Sequence, residues 1–540
     1  MTPRATRIPQ RRALTFLTAG LAALALFGCT SAADVALAPP EKPAIDAESY
    51  YENYDESDHD DYGSMPSSIP DASTEGGTGH PTGPEDPGLL DDNTFVDAGT
   101  DGAVDPAVDP LSTFALDVDT GSYSVGRTLL SEGMLPPPES IRVEEWVNAY
   151  DYNQDAPIDQ DLGISVEQAV SPSTSDGTQL VKVGVKARDV TDAERPPVAV
   201  TLVVDTSGSM NIRERLGLVK SSLALLAEHL KPTDTIAVVT YEDSARPVLE
   251  PTPVADTEAI LDAFDELRPG GGTNLEAGML LGYRQAREAY QPDAINAVIL
   301  ASDGVANIGT TGPDKLADMI RSEGEQGIHL VTVGYGMGNY NDDLMEQLAD
   351  QGDGFYAYVD TFDEARKLFV EDLNSTLTPV AQDAKVQVEF DPAVVSSYRL
   401  IGYENRAIED DDFADATVDA GEIGADHDVT ALYEVTLVEA TTDGQPIGTV
   451  DLRWESAEDG SPEQATHELA AAPGDAAAGD EFLLAATVAD LAQLLKQAEP
   501  VGDREVDLGV LAERADQLEA SGVEGADELS DLIALASVAR

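Results

Sequence analysis

The spacing of apolar positions changes along the chain, and each change implies a different architecture. A largely apolar run, Ala13 to Phe27, follows Arg4, Arg7, Arg11 and Arg12. Residues 31 to 110 then show no period at all. From Leu111 the pattern becomes globular. Tyr123 to Glu132 and Ser140 to Tyr150 read as short helices, separated by Gly133 and the stop Pro136-Pro137-Pro138. Strand-like alternation follows, with Val181, Val183 and Val185 set against Lys182, Gly184 and Lys186. It returns far downstream at Val386, Val388 and Phe390, at Tyr433, Val435 and Leu437, and at Val450, Leu452 and Trp454. Strands on both sides of one long intervening stretch predict a β-rich domain assembled from two chain segments, with the central unit inserted in it.

Between Pro196 and about Thr376 buried strands alternate with amphipathic helices. Val198 to Val204 is almost wholly apolar, as a strand covered on both faces must be. Ile212, Leu216, Val219, Leu223, Leu226 and Leu230 then fall on one face of a helix. Strands are predicted at 236–241, 295–301 and 328–333. Helices are predicted at 257–267, 275–290, 314–325, 342–349 and 362–373. Repeated βα units give a mostly parallel, doubly wound sheet, whose ligands bind at the carboxyl ends of its strands. Near the C-terminus, Asp480 is placed to cap a helix carrying Leu484, Val488, Leu491 and Leu495. Two more amphipathic pieces follow, around Leu508 to Leu518 and Leu529 to Val538. The fold class is therefore α/β with a β-rich flank, a helical C-terminal region and an N-terminal tether.

Charge narrows the functions. Against 31 basic residues stand 102 acidic ones, a formal charge of −71, so a nucleic-acid partner, which requires clustered Lys and Arg, is excluded. Cys29 is the sole cysteine, which removes intramolecular disulfides, Cys-ligated zinc and iron–sulfur clusters. Residues 31 to 110 hold 20 acidic residues and one basic one, Lys42. That composition cannot bury enough apolar surface to fold, and 29–110 is expected to be a disordered acidic tether.

The charged-then-apolar N-terminus has the order of an export signal, and a run of 15 residues spans only about 22 Å as a helix, short of a bilayer core of about 30 Å. The run ends Leu26-Phe27-Gly28-Cys29, which resembles the lipobox of bacterial lipoproteins. The resemblance implies a signal peptide over 1–28, lipidation at Cys29, and a membrane-anchored, extracytoplasmic protein of the cell envelope.

Three loops are expected at the carboxyl end of the central sheet. They are Asp205-Thr206-Ser207-Gly208-Ser209, Gly271-Gly272-Thr273-Asn274 and Ala301-Ser302-Asp303-Gly304. Each supplies hard oxygen, from carboxylate or hydroxyl. The set Asp205, Ser207, Ser209, Thr273 and Asp303 resembles the metal-ion-dependent adhesion site of von Willebrand factor type A domains, in order, loop placement and α/β frame. The resemblance implies Mg²⁺, or Mn²⁺ or Ca²⁺, with Ser207, Ser209 and Thr273 as direct ligands and Asp205 and Asp303 ordering hydroxyls and waters. It also implies a protein partner whose Asp or Glu side chain completes the ion's shell. Flanking segments, Thr113 to Ser124 with its Asp119-Thr120-Gly121-Ser122, Arg142 to Tyr150, and the helical end, resemble modules of a bacterial group of lipoproteins that contain this domain. The expected organisation is then 111–195 as an N-terminal flank, 196–376 as the type A domain, 377–475 as the β-rich flank and 476–540 as the helical region.

Rival readings stand beside this one. The same polar residues could merely cap helices and turns. A metal site could serve structure alone, in a protein that organises the envelope. An aspartic-type protease would use Asp119-Thr120-Gly121 with Asp205-Thr206-Ser207 as a carboxylate pair. Against that, the second motif lacks the glycine and opens a helix. His229 and His329 have no supporting motif for a serine hydrolase, and no phosphate-binding Gly-Lys loop occurs. The chain is expected not to be an enzyme.

Overall fold

Strand-forming runs of this chain sort into three sheets, one mostly parallel and two antiparallel. The computed structural model describes residues 45–57, 95, 97–116, 119–191, 193–304, 313–336, 342–415, 418, 420–474, 478–498 and 506–539. The export signal, Cys29 and most of the acidic tether lie outside the described residues. Among the described residues, no helix is long and apolar enough to cross a membrane.

A short helix, α1 (Glu48–Glu52), comes first. The N-terminal flank follows with β1 (Leu111–Ala115), α2 (Gly121–Ser131), α3 (Val143–Val147), β2 (Leu162–Val170) and β3 (Gln179–Ala187). The central domain runs through β4 (Val198–Asp205), α4 (Leu218–His229), β5 (Thr235–Tyr241), β6 (Ala245–Pro253), α5 (Thr257–Asp265) and α6 (Leu275–Ala289). It continues with β7 (Ile295–Ser302), α7 (Pro313–Gly324), β8 (His329–Tyr335), α8 (Asp342–Asp350), β9 (Tyr356–Val359), α9 (Phe362–Arg366) and α10 (Leu373–Leu377). The chain then returns through β10 (Pro379–Phe390), β11 (Val395–Ile401), β12 (Ile423–Gly424), β13 (Asp428–Leu437), β14 (Pro446–Ser456) and β15 (Pro462–Ala470). It ends in α11 (Asp480–Leu495), α12 (Leu508–Ser521) and α13 (Ala526–Val538).

The six-stranded sheet has the order β6-β5-β4-β7-β8-β9, all parallel except the edge strand β6. Alternate β4 residues face opposite cores. Val198, Val200, Leu202 and Val204 pack with α4, α5 and the segment after β9, while Val203 packs with α6, α7 and α8. Helices thus cover both faces, which is why the strands read as continuous apolar runs. From β4 the chain goes to β5 on one side and later to β7 on the other, so the strand order reverses between β4 and β7.

Both remaining sheets are antiparallel and combine segments from before and after the central domain. Strand β1 pairs with β10, and β3 with β13. One sheet runs β1-β10-β14-β15 with β12 beside β10, the other β11-β13-β3-β2. Between them lies one core of alternating residues, among them Val183, Val185, Val386, Val388, Tyr433, Val450 and Trp454. The insertion expected from the sequence is therefore the observed topology. On the outer side of the second sheet, α2, α3 and α11 to α13 form another core around Trp146, Phe482, Leu491 and Leu529 with Leu180 and Leu432.

Four local expectations are corrected. Asp480 is in the first turn of α11 rather than its cap, which is Gly479, so its carboxylate complements the helix dipole instead. The long helix expected from Ile212 begins as a π turn, Arg213–Gly217, before α4. The helix expected over 362–373 is divided into α9, a π turn at Lys367–Glu371 and α10. Parts of the acidic tether are docked. Ile45 and Ala47 are buried in the central core, and Tyr50, Tyr51 and Tyr54 pack beside them. Val104 exchanges backbone hydrogen bonds of 2.8 and 3.0 Å with Tyr398. Average composition concealed these pieces because three tyrosines within five residues concentrate the apolar surface that the tether lacks elsewhere.

Candidate functional site

Asp205 is the last residue of β4, and Asp303 follows the last residue of β7. These neighbouring strands flank the point where the sheet order reverses, the position at which open α/β sheets form a crevice. Beyond Asp205 the chain turns at once: Asp205 Oδ1 accepts the Ser207 backbone N–H at 2.8 Å, and Gly208–Met210 forms a single 3₁₀ turn. The turn brings Ser207 Oγ and Ser209 Oγ to 3.0 Å from each other.

Backbone bonds join this loop to the second. Gly208 N–H donates to Gly271 O at 3.2 Å, and Gly270 N–H donates to Thr206 O at 2.8 Å. Thr273, half-buried, stands two residues beyond Gly271. Its neighbour Asn274 caps α6, accepting the Ala277 N–H at 3.1 Å. Asn274 is not one of the five proposed site residues. The third loop is tied to the first by side chains. Ser302 Oγ donates to Asp205 Oδ2 at 3.0 Å, and Arg215 Nη1 donates both to Ser209 O at 2.8 Å and to Asp303 Oδ2 at 2.9 Å.

Burial and the neighbouring Asp303 push the Asp205 carboxyl up to about 7. The Tyr241 phenol, fully buried beside Asp205, is held well above its ordinary range by burial and by that carboxylate. Two buried acids and a pair of adjacent hydroxyls supply hard oxygen, suited to a divalent cation that relieves the repulsion between the acids, with the Arg215 guanidinium beside Asp303. Among the described residues there is no group of three or more His, Cys, Asp or Glu able to hold a metal. A cation here would depend on hydroxyls to complete the carboxylate pair.

All three expected loops are at one end of the sheet. The sequence reading missed Arg215, Ser302 and Tyr241. Ser302 carried a signal, since it precedes Asp303 at the end of a strand. Arg215 and Tyr241 carried none: one reads as a solvent-facing helical residue and the other as strand core. Asp119 belongs to a different environment. Its Oδ2 is 3.4 Å from Arg406 Nη2, and its carboxyl is pushed up to about 6 by burial and Glu346. Asp205 has Asp303 as its charged neighbour, whereas Asp119 has Glu346, Arg406 and Arg142.

The model for the von Willebrand factor type A domain matches residues 199–371. One described as von Willebrand factor matches 90–182, and one described as the C-terminal part of uncharacterized protein YfbK matches 375–538. The chain is similar to that uncharacterized protein YfbK of Escherichia coli (strain K12), 40% identical over 338 residues, with 61% of this chain and 59% of the relative covered. It is also similar to an uncharacterized Synechocystis protein, sll0103, 26% identical over 307 residues, with 55% and 71% covered. Mouse (Mus musculus) inter-alpha-trypsin inhibitor heavy chain H2 is 24% identical over 224 residues, 39% of this chain and 22% of that protein. The match thus spans less than two thirds of the Escherichia coli relative's length. A solved von Willebrand factor type A protein from Catenulispora acidiphila superposes with a TM-score of 0.40 at 16% identity, covering 67% of this chain and 88% of that one. Residues 199–371 of this chain are a von Willebrand factor type A domain.

Proposed function

We propose that this type A domain binds a protein partner by an acidic side chain, through a divalent cation held at the three-loop site, and that the chain serves adhesion or assembly at the cell envelope. The observation that carries the reading is the convergence of Ser207 Oγ and Ser209 Oγ, 3.0 Å apart, with buried Asp205 and Asp303 at the sheet's switch point. Ser207, Ser209 and Thr273 would hold Mg²⁺, or Mn²⁺ or Ca²⁺, directly, and Asp205 and Asp303 would orient hydroxyls and waters. When bound, such an ion supplies a Lewis-acidic position that a carboxylate from outside can fill. The chain's own residues do the rest. Asp205 fixes the first loop through the Ser207 N–H and the third through Ser302, so hydroxyl positions are set before any ligand arrives. The reading is one of binding rather than catalysis, supported by the separate surroundings of Asp119 and Asp205.

Localisation belongs to the same proposal. Lipidation of Cys29 would place the domain at the envelope membrane surface. Labelled palmitate should enter the wild-type protein and not Cys29→Ala. Titration calorimetry with Mn²⁺ tests the site. The wild type should bind one ion and Asp205→Ala should lose at least about tenfold in affinity, whereas a wild type that takes up no Mn²⁺ would overturn the reading. A partner captured from envelope extracts in Mg²⁺ should be released by chelator. Retention would instead favour a structural metal in an envelope-organising protein.

A further inference from the structure

The site contains a cation of its own. Arg215 is buried with 2% of its side chain exposed, against an Asp303 side chain with none, and its Nη1 bridges Asp303 Oδ2 and Ser209 O. The structure makes room for it: Gly336, at φ +75°, stands where a Cβ would come within 2.6 Å of Arg215 Cγ. The π turn that carries it, Arg213–Gly217, is also held from outside by the docked N-terminal segment. Tyr54 packs on Gly217 so closely that a Cβ there would be 3.0 Å from the ring, and Tyr54 Oη donates to Asn211 Oδ1 at 3.2 Å. The Arg213 guanidinium covers the Tyr51 ring at 4.9 Å, and the Arg213 N–H reaches Glu56 Oε1 at 3.4 Å. A guanidinium fixed from both sides stays with Asp303.

Its effect is electrostatic. Asp205 and Asp303 with Arg215 carry one net negative charge when ionised, so a divalent cation leaves the occupied site with one net positive charge. Without Arg215 the same site would be neutral. The chain as a whole carries −71, which repels an acidic partner. Salt limits that repulsion to a Debye length of about 8 Å, inside which the local charge decides. We propose that Arg215 determines the ligand specificity of this site: it lowers affinity for the metal and supplies the positive charge that selects a carboxylate ligand. The proposal rests on the reading that a divalent cation binds at the three loops.

The test uses the full chain with Arg215→Gln, which removes the charge but keeps an N–H donor, and Arg215→Lys, which keeps the charge. Mn²⁺ affinity is measured by calorimetry, and acetate affinity by the relaxation that bound Mn²⁺ induces in the acetate carbons. Arg215→Gln should bind Mn²⁺ about tenfold tighter and acetate about tenfold weaker, since a full charge a few ångströms away is removed. Arg215→Lys should stay within about threefold of the wild type on both. Arg215→Met serves in place of the glutamine variant if that protein does not fold. Opposed changes distinguish a charge effect from loss of positioning, which would weaken both. Weakening of both in Arg215→Gln, or no change in either, overturns this proposal and leaves the metal site standing. A wild type that binds no Mn²⁺ overturns both.

Discussion

Two buried charge clusters in this molecule have the same balance, one acid more than bases, and different chemistry. The first is Asp205, Asp303 and Arg215 at the sheet's carboxyl end. The second joins three regions of the chain: Asp119, Arg142 and Glu145 from the N-terminal flank, Glu346 from α8, and Arg406 after β11. Arg142 Nη1 lies 3.1 Å from Glu145 and 2.9 Å from Glu346, and Arg406 Nη2 lies 2.5 Å from Glu346 and 3.4 Å from Asp119. There the carboxylates are engaged by guanidinium groups that also staple the central domain to its flanks. At the sheet end the single guanidinium engages only Asp303, while Asp205 is held by the Ser207 N–H and the Ser302 hydroxyl. Buried charge alone therefore does not mark a binding site. The proposed binding site differs in having neutral oxygen beside the charge, on loops at a switch point.

The comparison breaks most sharply at Arg406. Arg406→Met leaves Asp119 and Glu346 facing each other without that counter-ion, and urea unfolding should show a loss of about 3–5 kcal/mol, typical of a buried pair deprived of one partner. At the sheet end the sign should reverse. Asp205→Asn, measured in chelator, removes one of two repelling buried acids and should leave stability unchanged or raise it by about 1 kcal/mol, while its Mn²⁺ affinity falls. A loss comparable with that of Arg406→Met would make the two clusters equivalent staples. Next, Tyr54→Ser should lower the local opening free energy of residues 211–218 by about 1–2 kcal/mol, read by hydrogen exchange, through lost aromatic burial.

The smallest effect is a pH slope. Asp119 is raised from 3.8 to about 6 by burial and Glu346. Between those values the folded chain keeps a proton that the unfolded chain has released, so this group's contribution to stability falls as pH rises from about 4 to 6. Asp119→Asn should flatten that part of the stability profile, and an unchanged slope would place the proton elsewhere in the cluster.

Much of this architecture is legible residue by residue. The strand at Val198 to Val204 reads as doubly covered because no polar side chain interrupts it except Thr201, and it is the centre of the sheet. Edge strand β6 escaped notice: Pro247, Pro251 and Pro253 argue against a strand, yet at an edge proline forgoes only hydrogen bonds that no neighbour needs. The docked segment 45–57 escaped because composition averages over 80 residues what three tyrosines accomplish locally. The turn at Arg213–Gly217 escaped because its apolar spacing is that of the helix it precedes.

Reading along the chain reveals what is periodic or local: which strands are covered on both faces, where helices follow them, and which loops carry carboxylate and hydroxyl oxygen. Those properties depend on neighbours a few residues apart, and spacing records them. Tertiary structure alone decided which distant charges meet. Arg215 joins Asp303 across 88 positions of chain, and Arg406 reaches Asp119 across 287. A guanidinium's sequence neighbours say nothing about the carboxylate that folding places against it, and here that placement sets the charge of the site.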